Sequence, residues 1–260
     1  YIIYEHDHKY LKSRNPALYK NFKIPKSEIV NFSFYKYAIA VMCQSGFHKG
    51  IVEKNLNLTN ILSVGGNLWS TEALEKIREF SKKEKKEKHS IMQSSIPHKN
   101  TEGAVRYCQK EKLSYELIPP SGYYDFLNKL SENKTLVFIP KTPETLSRIV
   151  VEARMMGMSV LTNNRVGAAL EDWFSLKGEE LIDHMTKKRE DIAALIQDLF
   201  DEKRGEVTRK ISILSTFHEG EEYLEQFMED ITQQTIFEDC ELIFVDAKSP
   251  GKEREIIEQY

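Results

Sequence analysis

Residues 136–157, LVFIPKTPETLSRIVVEARMMG, decide the fold. Residues 136–139 form a short apolar run closed by Pro140, which reads as a buried strand. Thr142 and Pro143 then supply a capping residue and a first-turn proline, so a helix is expected to start there. Along it Leu146, Ile149, Val150, Ala153 and Met156 recur at helical spacing and define a buried face. Glu144 stands at the strand-to-helix turn and Glu152 follows eight residues later, placing two carboxylates beside one crevice. In open α/β sheets such crevices lie at the carboxyl ends of strands, where ligands bind and helix N-termini offer amides to phosphates.

The same rhythm extends outward. Residues 91–93, 115–118 and 160–162 read as strands, with helices through Ala104 and Tyr107 and over 123–130. Strands alternating with helices imply a parallel sheet covered on both faces. Val166-Gly167-Ala168 reads as a tight turn, 181–200 as a long helix, and Met155, Met156 and Met158 as core filling.

The 260 residues carry 37 Lys and Arg against 40 Asp and Glu, a net charge of -3, with a pI near 6.2. No global basic field results, so nucleic acid is not an expected partner, while Lys-rich surfaces leave peripheral membrane contact open. A composition 40% hydrophobic and 30% charged suits a globular protein longer than one average domain. Cys43, Cys108 and Cys240 are scattered and lack metal-ligand spacing, which favours a reducing, cytoplasmic setting over a disulfide framework. No apolar run reaches the roughly 18 residues of a membrane span, and no signal peptide is visible. The chain opens at Tyr1 on a β-prone run, as expected of a fragment of a longer protein.

That run leads into Glu5-His6-Asp7-His8-Lys9. On a continuing strand His6 and His8 would share a face while Asp7 points away, a poor metal site, so either histidine is structural or one is catalytic. Residues 14–27 read as a loop or broken helix. Residues 34–44 lead into Gln44-Ser45, a helix follows over 47–56, and a strand over 60–64 ends in Gly65-Gly66-Asn67. That glycine pair is a turn rather than a phosphate loop, because no Lys-Ser/Thr follows. Ser70 caps a helix over 71–80, and the Lys/Glu run 81–89 reads as a solvated linker and domain boundary. A second charged linker is expected over 201–210. Beyond it a strand (211–217), a helix (220–234) and a strand (241–246) form another βαβ unit.

The string Glu144-x7-Glu152, Ala153, Met156-Gly157, Val160, Gly167 and Glu171 resembles the donor-binding signature of family-4 retaining glycosyltransferases of the GT-B fold. The resemblance implies that Glu144 touches the transferred sugar and Glu152 holds the nucleotide ribose. It also implies that His6 faces the sugar from the acceptor-side domain and that Lys99 binds the diphosphate. Thr145 and Ser147 stand where the family usually has glycines beside the diphosphate, and Ser94 stands where it has an arginine. The unit after residue 206 resembles the opening of family-2 glycosyltransferases of the GT-A fold, with Thr216-Phe217-His218-Glu219-Gly220, Gln233-Gln234-Thr235 and Val245-Asp246. That likeness implies a nucleotide pocket at Thr216, Glu219 and Asp246.

The expected architecture is therefore α/β with Rossmann-like parallel sheets. It comprises the end of a GT-B acceptor-side domain with its linker (1–85), a donor domain (86–205) and a truncated GT-A βαβ unit (206–260). The implied activity is retaining transfer from a nucleotide-diphosphate sugar to a glycan or glycolipid acceptor. No metal is implied for the first module; the second implies a divalent ion, Mg or Mn, whose ligands lie beyond this sequence. A nucleotide-binding scaffold without turnover is the alternative. A Rossmann-type oxidoreductase is disfavoured, because no G-x-G-x-x-G follows any expected strand.

Overall fold

The computed structural model describes residues 1–204, 211–217, 220–246 and 249–260. They pack as two compact units, Tyr1–Ile196 and Gln197–Tyr260. In chain order the elements are β1 (Ile2–Glu5), α1 (Phe32–Lys36), β2 (Ala40–Cys43), α2 (Gly46–Leu56), β3 (Ile61–Ser63), α3 (Thr71–Ser81), β4 (Lys86–Met92), α4 (Thr101–Lys110), β5 (Tyr115–Ile118), α5 (Tyr123–Leu130), β6 (Asn133–Val137), α6 (Arg148–Met155), β7 (Ser159–Leu161), α7 (Glu179–Arg204), β8 (Ile211–Phe217), α8 (Glu221–Thr232), β9 (Cys240–Asp246) and α9 (Glu253–Ile257).

The first unit holds two sheets, and every strand pairing in both is parallel. The first has the order β1-β2-β3. Its middle strand is buried along its whole length, and Val41 and Cys43 pack with Tyr10, Tyr35 and Val52. The second has the order β5-β4-β6-β7. One large core gathers α3, α5, α6 and the start of α7 through Leu74, Ile77, Leu127, Val150, Leu181 and Met185. A smaller one joins β4 and β6 to α4 through Ile91, Val137, Ala104 and Cys108. The α/β class with parallel sheets is thus as expected, and Met155, Met156 and Met158 lie fully in the core.

Four expectations are corrected. The helix does not begin at Thr142 and Pro143 but at Arg148. Glu144 N–H donates to the Arg165 carbonyl at 2.7 Å, and the Glu144 and Leu146 carbonyls accept from Gly167 and Ala168 at 2.9 and 3.0 Å. Residues 144–146 are thereby tied to the loop after β7, Glu144 bridging Val166, and the helix winds only once those groups are spent. The preceding strand, Asn133–Val137, starts three residues and ends two residues earlier than read. The Lys/Glu run is not a linker: from Lys86 onward it is β4. Lys86 pairs with Glu132 at 2.8 Å, and Glu87 pairs with Lys134, so the strand's charged end is matched by its neighbourhood. Finally, α7 continues through Arg204, into the stretch read as a second linker; residues 205–210 lie outside the described residues.

The second unit contains β8 and β9, parallel and in register from Ile211 opposite Cys240 to Phe217 opposite Asp246. Helix α8 lies between them in sequence and buries Leu224 and Met228. Among the described residues no helix is long and apolar enough to cross a membrane.

Candidate functional site

In the second sheet the chain passes from β4 to β5 on one side and returns to β6 on the other. The reversal falls between β4 and β6, and the crevice at their carboxyl ends is where this topology places ligands. After β4 a short turn, Pro97–Lys99, is closed by Asn100 in the left-handed region at φ 60°. The Asn100 amide donates to the Ile139 carbonyl at 2.7 Å, tying the loop after β4 to the loop after β6. Gly103 makes this possible, since a β-carbon there would lie 2.3 Å from that amide.

The two loops meet in an ion pair. Lys99 Nζ donates to Glu144 Oε1 and Oε2 at 2.8 and 3.0 Å, with the side chains 26% and 13% exposed. They border a cavity of about 570 Å³ whose wall also includes Met92, Tyr123, Ser147, Arg148 and Glu152. A second cavity of about 430 Å³ shares Glu144, Ser147 and Arg148 but is completed by Tyr4 of β1 and by His6, Gln44 and Asn67 from the first sheet's loops. Glu144 is therefore common to two adjoining chambers.

Glu152, on α6, is 3% exposed. Its Oε1 accepts from Trp69 Nε1 at 3.0 Å, Tyr123 hydroxyl at 2.7 Å and Arg148 Nε at 3.2 Å. Its Oε2 makes no hydrogen bond among the described residues. Burial, reinforced by the Glu152 charge, pushes the Tyr123 hydroxyl pKa up, so it remains a donor. Ser147 has a φ of 72°, the conformation for which glycine is suited, and its Oγ is buried without a partner. Thr145 Oγ1 lies 2.8 Å from Gln44 Oε1 and 3.2 Å from the His6 carbonyl oxygen, either of which can accept its proton.

These contacts hold the loops of both sheets together. Gly167 permits the closest approach: a β-carbon there would lie 2.3 Å from the Thr145 carbonyl oxygen. Glu171 accepts from Gly46 N–H at 2.7 Å, at the start of α2, and Trp173 Nε1 donates to the Gly65 carbonyl at 2.8 Å.

Of the two candidate histidines, His6 is exposed and lines the second cavity. His8 is 3% exposed and packs edge-on against His48, with ring centroids 4.9 Å apart. Burial, partly opposed by Glu5 and Asp7, pulls its pKa down to about 4, so it is neutral. Among the described residues no group of three or more His, Cys, Asp or Glu is placed to hold a metal ion.

His6, Lys99, Glu144, Thr145, Ser147 and Glu152 thus border one cleft. Sequence reasoning missed Trp69, Tyr123, Arg148 and Gln44. Only Arg148 carried a readable signal, its position four residues before Glu152 on a helix. In the second unit Thr216 is the penultimate residue of β8, opposite Val245, and Asp246 ends the adjacent parallel strand β9. Glu219 lies outside the described residues.

Neither a family model nor a curated protein matches the sequence. Among solved structures a glycosyltransferase from Rickettsia africae ESF-5 is similar at 16% identity and a TM-score of 0.37, over 68% of this chain and 59% of that one.

Proposed function

We propose that the cleft binds a nucleotide-diphosphate sugar and that the chain is part of a glycosyltransferase acting with retention on an acceptor hydroxyl. The observation that carries this reading is the meeting of Lys99 and Glu144 at the reversal of strand order, beside buried Glu152 and facing His6. Lys99 and the first amides of α6 take the leaving diphosphate, whose developing negative charge needs cations or N–H donors. Glu144 orients the sugar and stabilises positive charge at its anomeric carbon. Glu152 accepts from a ribose hydroxyl through Oε2, His6 approaches the sugar from the first sheet, and Thr145 and Ser147 frame the diphosphate. The first sheet belongs to an acceptor-side domain and the second to the donor domain.

The second unit, in this reading, opens a further nucleotide-binding module at Thr216, Glu219 and Asp246, which would take a divalent ion through ligands outside this sequence. The acceptor is a glycan or glycolipid, and the setting is cytoplasmic or at a membrane surface.

A second reading, a nucleotide-binding scaffold without turnover, is favoured by one observation: Lys99 is closed on Glu144 rather than open to a ligand. Nucleotide release from a panel of UDP-, GDP- and ADP-sugars, with and without oligosaccharide acceptors, separates the two. Acceptor-dependent release supports the transferase. Tight nucleotide binding without release supports the scaffold, and no binding of any nucleotide sugar defeats both.

A further inference from the structure

Resting on the nucleotide-diphosphate reading, we propose that Arg148 is a second cationic ligand of the diphosphate, beside Lys99, and that Glu152 positions it. Arg148 is the first residue of α6 and lines both cavities. Its guanidinium carbon lies 5.1 Å from the centroid of the Trp69 ring and 5.8 Å from that of Tyr123, so two aromatic faces fix its plane. Nε donates to Glu152 Oε1 at 3.2 Å and Nη2 to the Tyr123 hydroxyl at 3.3 Å. Among the described residues these are its hydrogen bonds, which leaves three of the five guanidinium N–H donors for a ligand. The side chain is 45% exposed. A guanidinium held this way has given up its rotamer freedom before a ligand arrives, which is what a preorganised anion site needs.

Ser147 points to an anion independently. It is 7% exposed, its Oγ has no partner, and it lines the same two cavities at the N-cap of α6. A buried unpaired hydroxyl in a left-handed backbone is costly twice over, and an acceptor oxygen at the helix start relieves the first cost. The Val150 N–H already donates to the Ser147 carbonyl at 3.1 Å, so the amides left at the helix start are those of Arg148 and Ile149. With Lys99 on the facing loop, an incoming diphosphate meets two cations, a hydroxyl and the helix amides.

Calorimetric titration of the full chain with UDP, GDP and ADP, and with uridine, guanosine and adenosine, tests the assignment. Arg148→Gln is expected to weaken whichever diphosphate binds by roughly ten- to a hundred-fold, the worth of one charged hydrogen bond, and to leave the matching nucleoside unchanged. Arg148→Lys keeps the charge but loses the fork, and recovers part of the loss. Glu152→Ala frees the guanidinium and lowers the ratio of diphosphate to nucleoside affinity, a ratio that a purely structural role does not move. Thermal melting of each variant shows whether it folds; if Arg148→Gln does not, Arg148→Lys carries the comparison. Unchanged diphosphate affinity in a folded Arg148 variant, with wild-type binding intact, overturns this assignment and leaves the reading of the cleft standing. A wild-type chain that binds none of the three diphosphates overturns both.

Discussion

Glu144 and Lys99 neutralise each other across the crevice, so each is held ready without being stranded as a lone charge in a partly enclosed site. If Glu144 acts on the sugar rather than on the nucleotide, Glu144→Ala lowers turnover far more than it changes nucleotide affinity. Steady-state kinetics beside calorimetry checks this, and equal losses in both would count against the role. His8 makes a different prediction. Its folded pKa, about 4, lies below the ordinary value of 6.5 because burial disfavours the charged ring. The unfolded chain therefore takes up a proton that the folded one refuses as pH falls below about 6.5. Stability present at neutral pH is lost progressively toward pH 4, by roughly 3 kcal/mol for this one group. Denaturant titrations from pH 7.5 to 4.5 read this slope, and His8→Phe is expected to reduce it; His48, packed against His8 and lowered by the same burial, supplies the remainder. Glu144 was legible in the sequence from its place at a strand-to-helix turn, and Lys99 only through the resemblance; each lies in the loop beyond its strand, which ends at Val137 and Met92 respectively. Trp69 and Tyr123 were not legible, because the carboxylate that they grip is distant in sequence and only packing brings them to it.

At the scale of elements, the loop between β6 and α6 shows how tertiary hydrogen bonding overrides a local signal. Thr142 and Pro143 have the chemistry of a helix start, yet the backbone of 144–146 pairs with the loop after β7 and delays the helix to Arg148. The same competition hid β4, whose first residues look solvated because they are charged and are so only on their side chains. Periodicity served well where a buried face was continuous, as in α5, found at the residues expected. Gly167 is the pivot of the loop pairing. Gly167→Ala would drive a methyl group into the Thr145 carbonyl and is expected to cost about 1–3 kcal/mol. A lower thermal midpoint together with weaker nucleotide binding is the expected result. A midpoint equal to the wild type would mean that the two loops separate freely.

For the molecule as a whole, the sequence suggested breaks near residues 85 and 205, whereas the structure packs both sheets into one unit ending at Ile196. Helix α3 explains the first difference: Ala73, Leu74, Ile77 and Phe80 sit in the core beneath α5 and α6, a burial that its charged C-terminal neighbours conceal. Among the described residues the second unit has two parallel strands, with Leu214 and Val245 exposed at 65% and 48%. Two strands cannot bury both faces of a parallel sheet, so a peptide of residues 206–260 alone is expected to melt without a cooperative transition by circular dichroism. A sharp transition would show that the unit is self-sufficient. Function in this molecule turns on the reversal of strand order between β4 and β6 and on what binds there. The most direct measurement is a crystal structure of the chain with the nucleoside diphosphate that binds it best. The phosphates are expected within about 3 Å of Lys99 Nζ and of the first amides of α6. A nucleotide seated elsewhere, with Lys99 still closed on Glu144, would contradict it.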